Sequence, residues 1–179
     1  DMSTMMPSNS RQNRANQLAF IANLKHSLLS DPSVTELISN IDSGQLSKND
    51  LTNFKEMQRE YVLLSSLPSD LVEAISKTSA LCEGKWQEAK KNCDFSIVKN
   101  SLNELINLSR QESEILSEKL NCSPYEALIQ KYEPYSNVDH ITKVFKDLEI
   151  FLLSSIDKII EKQKKESALP IEDEFSSFN

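Results

Sequence analysis

Apolar residues along this chain recur at intervals of three and four rather than two, so the pattern predicts helices almost throughout. About six or seven are expected. Residues 9 to 30 carry Leu18, Ile21, Leu24 and Leu28 on one stripe and stop near Asp31-Pro32, since proline disfavours helical geometry in the residue before it. Asp31 is placed to cap a short helix over about 32 to 42, with Pro32 in its first turn and Gly44 as a left-handed stop. Ser47, with Asp50 three residues on, opens a third helix through Leu51, Phe54, Met57, Tyr61 and Leu64 to the Leu67-Pro68 break. A longer one follows through Leu71, Ile75, Cys82, Trp86 and Ala89 and closes near Cys93-Asp94, with Asp94 placed to cap the next. Gly84 inside it costs up to ~1 kcal/mol against alanine, so either a neighbour packs closely there or the position is loose.

The cleanest stripe, over about 95 to 120, is Phe95, Val98, Leu102, Leu105, Leu108, Leu116 and Leu120, a helix of ~39 Å at ~1.5 Å per residue. Ser123-Pro124-Tyr125-Glu126 reads as a capping box with proline at the first helical position, opening a short helix to about Glu133. Val138, Ile141, Phe145, Leu148, Leu152, Ile156 and Ile159 define a last long helix that runs into the solvated Lys162-Gln163-Lys164-Lys165. Long helices joined by short turns imply an all-α chain, an elongated antiparallel bundle or an array of helical hairpins. Both ends look cut: the chain opens on Asp1, and residues 167–179 form a loose tail whose Phe175 and Phe178 have no periodic partner. The expectation is a segment of a longer polypeptide.

Composition then removes several function classes. The chain has 179 residues and a net charge of −7, with 7% aromatic residues, so a nucleic-acid groove lacks both its charge and its stacking platforms. Gly44 and Gly84 are the only glycines, too few for a phosphate-cradling loop or a dinucleotide fingerprint. The longest apolar runs, such as Ile150-Phe151-Leu152-Leu153, fall far short of the ~20 residues of a membrane helix. No secretory signal is visible in Asp1 to Ser10, and Cys82, Cys93 and Cys122 are odd in number without a C-x-x-C pair, which fits a reducing cytoplasm.

A search for chemistry finds no site residues: no catalytic, cofactor-binding or metal-ligating set. A helical zinc hydrolase needs two histidines at i and i+4 with a glutamate between them. Here His26 and His140 stand alone, and neither has a His, Asp or Glu three or four residues away. The S-x-x-K spacings at Ser96/Lys99 and Ser155/Lys158 lack their accompanying motifs and read as solvated helix faces. Cys82 and Cys93 are expected to be buried and apolar. Carboxylates such as Glu112 and Glu114 read as ordinary polar helix surface, and Trp86, Tyr125 and Tyr132 as packing residues.

Four blocks stand out in order: Asp1-Met2-Ser3-Thr4-Met5-Met6-Pro7 with Asn13-Arg14-Ala15-Asn16-Gln17-Leu18-Ala19; Leu67-Pro68-Ser69-Asp70-Leu71-Val72; Glu83, Trp86, Glu88, Ala89, Asp94 and Phe95; and Ser123-Pro124-Tyr125-Glu126-Ala127-Leu128 with Tyr132-Glu133-Pro134. Together they resemble the carboxypeptidase Taq family of thermostable zinc metallocarboxypeptidases. The resemblance implies a mainly helical enzyme that removes C-terminal residues from peptides. Its N-terminal helices wall the substrate cleft, and its zinc and catalytic glutamate belong to a His-Glu-x-x-His helix in the other half. That motif is not in these residues, so no family zinc ligand, base or carboxylate-binding arginine carries over to any position here.

Departures accompany the match. Met2 and Ser3 stand where the family has Gln and Glu, Tyr135 replaces a glycine, and His140 takes the place of a capping glutamate three residues after Asn137. The resemblance therefore implies an N-terminal helical region over 1–179, inactive alone, with zinc only in the full-length enzyme. A C-terminal catalytic part, a peptide substrate and a homodimer surface are its expected partners, and nucleic acid and membrane are not. The alternatives are a non-catalytic helical interaction module and the product of a split or decaying peptidase gene.

Overall fold

The computed structural model describes residues 6–165. The start of the first resemblance block and the 167–179 tail lie outside the described residues. After a 3-10 turn, Ser8–Ser10, come α1 (Arg11–Leu29), α2 (Pro32–Ser39), α3 (Lys48–Ser65), α4 (Ser69–Asn92), α5 (Ser96–Leu120), α6 (Pro124–Ile129) and α7 (Val138–Lys165). There is no strand among the described residues, so the fold is all-α. It divides into two compact units, Asp1–Pro134 and Tyr135–Asn179.

The expected punctuation does the expected work at most helix starts. Asp31 accepts from the Ser33 N–H at 2.8 Å, Ser47 Oγ from the Asp50 N–H at 3.3 Å, and Asp94 from the Ser96 N–H at 2.9 Å. Around α6 the capping box is complete: the Glu126 N–H donates to Ser123 Oγ at 3.3 Å, and the Ser123 N–H donates back to the Glu126 carboxylate at 3.2 Å. Such a box satisfies two N–H groups that the helix cannot. At the head of α7, where the glutamate is missing, Asn137 accepts from the His140 N–H at 2.8 Å and the cap is one-sided.

Helix stops differ more from expectation. Gly44 has no positive φ; α2 already ends at Ser39, and Asp42, accepting from the Gly44 N–H at 3.0 Å, bends the chain into a 3-10 turn. The left-handed positions are instead Cys93 (φ 50°), Asn121 (φ 52°) and Tyr135 (φ 67°). Two of them close helices through a bond five residues back, Asp94 N–H to Ala89 O at 2.9 Å and Cys122 N–H to Ser117 O at 3.2 Å. Cys93 is therefore exposed at a helix end, not buried as its apolar character led us to expect.

In the first unit α4 lies between two helices. Its Leu71, Thr78, Cys82 and Ala89 fall on one face and meet α5, while buried Ala80 and Gly84 fall on the opposite face. There α1 runs antiparallel: Arg11 reaches Gly84 near the end of α4, and Asn23 accepts from the Ser69 hydroxyl at 2.8 Å near its start. A Cβ added at Gly84 would come within 2.8 Å of Arg11 Cδ, so the glycine marks close approach rather than looseness. The face α1 turns inward is Ala15, Ala19 and His26. Most of the predicted stripe faces out: Ile21, Leu24 and Leu28 are exposed and Leu18 is half-buried. Small side chains win the interface because they let two helix backbones approach, which the leucines do not.

Two apolar clusters complete the unit. Leu67, Leu71, Leu116 and Ala127 join the α3–α4 turn to α5 and α6, and Cys82, Ala89 and Val98 join the far ends of α4 and α5. Beyond these, Trp86, Phe95, Tyr125 and Tyr132 are exposed, contrary to the expectation that they pack inside; Trp86 instead carries the Lys90 ammonium 5.6 Å from its ring centre.

Relieving the strained turn gives a direct check. Left-handed backbone costs a residue with a Cβ ~1–2 kcal/mol, part of which glycine returns as unfolded-state entropy. Cys93→Gly is expected to raise stability by about 0.5–1 kcal/mol, read as a higher urea midpoint at unchanged slope.

Candidate functional site

In the first unit, α1, α3, α4 and α5 leave a cleft of about 400 Å3. Its floor is apolar, from Leu63, Leu67, Val72, Ile75 and Leu116, and its rim is charged. Lys25 donates to Glu60 at 2.8 Å, Lys131 to Glu112 at 2.7 Å, and Arg59 to Glu56 at 2.9 Å and to the Gln130 carbonyl at 3.2 Å. The hydrogen bond from Lys25, reinforced by its charge, holds the Glu60 carboxyl below the usual carboxylate range, so Glu60 is no proton donor near neutral pH. A second groove, about 760 Å3 and open, runs between α4 and α5 past Cys82, Trp86, Phe95 and Val98. The first combines an apolar floor with paired ions, and in the second the Lys90 ammonium lies over the Trp86 ring.

Glu112, which reads as ordinary polar helix surface by residue type, is buried. Its position gave a signal: Leu108, Glu112, Leu116 and Leu120 follow one another at i+4, so the carboxylate occupies a core position of the α5 stripe. Lys131, just past α6, reaches across to neutralise it.

His26 is buried, with Nε2 2.7 Å from the Leu67 carbonyl oxygen. A carbonyl only accepts, so Nε2 carries the proton and ties α1 to the α3–α4 turn. His140 stands exposed in the first turn of α7, in the other unit. Burial pushes the Cys82 thiol up, and burial with the nearby Glu126 charge does the same at Cys122, which keeps both protonated rather than available as thiolates.

The comparison with known proteins decides the family. The model for the carboxypeptidase Taq (M32) metallopeptidases matches residues 1–177. The chain belongs to this family. Thermostable carboxypeptidase 1 of Thermus thermophilus is 25% identical over 177 residues, covering 92% of this chain and 34% of that protein. Thermostable carboxypeptidase 1 of Pyrococcus furiosus is 27% identical over 175 residues, covering 97% and 35%. Among solved structures, Trypanosoma cruzi metallocarboxypeptidase 1 superposes with a TM-score of 0.75 at 28% identity, over 93% of this chain and 34% of the other. The chain thus spans about a third of the length of the carboxypeptidases it matches.

For a carboxypeptidase of this family the donor set here does not fit a metal ion. Among the described residues no three His, Cys, Asp or Glu side chains gather to hold one, and the buried imidazole nitrogen is already committed to a carbonyl. No step through a metal is assigned to these side chains.

The rim of the cleft can be tested by removing one ion. Lys131→Met leaves Glu112 buried without its cation and is expected to cost ~1–3 kcal/mol, less than a fully buried pair because Lys131 is one-third exposed. Adding Glu112→Gln is expected to recover part of that loss in a double-mutant cycle of denaturation midpoints.

Proposed function

We propose that this chain is the N-terminal helical part of a zinc-dependent metallocarboxypeptidase that removes C-terminal residues from peptides. It contributes a wall of the substrate cleft, and a separate C-terminal part holds the metal and the catalytic glutamate. The observation that carries this reading is the family match over residues 1–177 in a chain that spans a third of its relatives and contains only two histidines, not paired on a helix. Three free cysteines support a cytoplasmic setting. On this reading the apolar cleft floor and paired rim shape a surface for peptide, and the chain by itself hydrolyses nothing.

A second reading, a helical interaction module that has kept the scaffold, is favoured by the outward stripe Ile21, Leu24 and Leu28 of α1. Co-expression separates the two. The chain is produced together with the two-thirds of Thermus thermophilus thermostable carboxypeptidase 1 that it does not match, and release of the C-terminal residue from a blocked dipeptide is assayed. Activity in the pair and none with the chain alone is expected. Hydrolysis by the chain alone, or an inert pair, contradicts the first reading.

A further inference from the structure

Helix α7 is 28 residues long and none of them is buried. Among the described residues of its unit there is no second helix to cover it. At 100° per residue its apolar side chains fall in three adjacent rows. The central row is Ile141, Phe145, Leu148, Leu152, Ile156 and Ile159, flanked on one side by Val144 and Phe151 and on the other by Leu153 and Ile160. Together they span about 200° of the circumference, interrupted by Thr142, Glu149 and Ser155, with Lys143, Asp147, Ser154 and Glu161 in the remainder and Ile150 as the apolar exception there. From Val144 onward these side chains are 42–66% exposed.

The width of that arc identifies the occupant. A helix lying on the surface of a globule needs an apolar stripe of about 100°, and one neighbouring helix covers little more. A second copy of this chain, packing α7 on α7, would bury the central row and leave both flanks in water. Covering all three rows takes a groove with a floor and two walls, which means at least two more elements from a larger body. The relatives supply a body of that size, since about two-thirds of their length lies outside the match.

We infer that α7 is an intercalating helix, which seats on three apolar rows in a groove of the remaining part of a family carboxypeptidase. This rests on the reading above that such a part is the chain's partner. The probe is the same co-expressed remainder of Thermus thermophilus thermostable carboxypeptidase 1, captured through a tag on the 179-residue chain. Phe145→Glu in the central row, Phe151→Glu in one flank and Leu153→Glu in the other are each expected to lower the co-purified fraction at least tenfold, while Lys143→Glu on the polar side leaves it unchanged. Far-ultraviolet circular dichroism of each variant chain alone is expected to show undiminished helix, because these side chains are exposed in the free chain. Loss confined to Phe145→Glu, indifference of all three, failure of the unaltered pair to associate, or a stable dimer of the chain in sedimentation that Phe145→Glu dissociates would overturn the inference. Association that depends on all three rows but yields no hydrolysis would spare it and count against the proposed function instead. Hydrolysis with indifferent α7 variants would do the reverse.

Discussion

The first unit depends on α4 being covered on two opposite sides. One side is apolar in the ordinary way and buries Leu71, Cys82 and Ala89 against α5. The other works by being small: Ala80 and Gly84 admit α1, which offers Ala15 and Ala19 in return. His26 and the Asn23–Ser69 contact then fix the position of α1 along α4, and the α3–α4 turn follows because Leu67 contributes both a carbonyl to His26 and a side chain to the main cluster. Beside the cleft α3 is tied to its neighbours by polar contacts, Glu60 to Lys25 of α1 and Arg59 to the Gln130 carbonyl, while its Leu63 packs on the main cluster.

How much of this the chain discloses depends on the kind of signal. Helix starts are readable because a cap is a local hydrogen bond made within four residues, as at Asp31, Ser47 and Ser123. Stops are less so: a left-handed cap at Cys93 or Asn121 carries no glycine to announce it, and Gly44 announces one that does not form. The inward face of α1 misleads because periodicity weighs leucine over alanine, whereas close helix contact prefers the smaller residue. Trp86 and Phe95 mislead for the same reason, since apolar character alone does not say whether a neighbour arrives. On α7 the stripe is plain in the sequence, yet the described residues hold nothing for it to bury against.

The candidate site shows the limit from the other direction. Glu112 was visible as a position in an apolar row but its partner, Lys131, lies nineteen residues on and beyond a turn, a distance no helical period spans. The resemblance to the carboxypeptidases, by contrast, was legible in four short blocks. Three of these blocks fall on caps and turns that set the scaffold: the α3–α4 turn, the end of α4, and the α6 capping box. Family identity is thus written into the frame of the molecule, and among the described residues no three His, Cys, Asp or Glu side chains gather to hold a metal ion.

The central claim is that the chain provides scaffold and cleft wall and has no metal centre of its own. Metal analysis of the purified 179 residues, after equilibration with excess zinc and removal of free ion, tests this most directly. The account predicts well under one zinc per ten chains; one zinc bound per chain, lost on replacing His26 or His140, would contradict it.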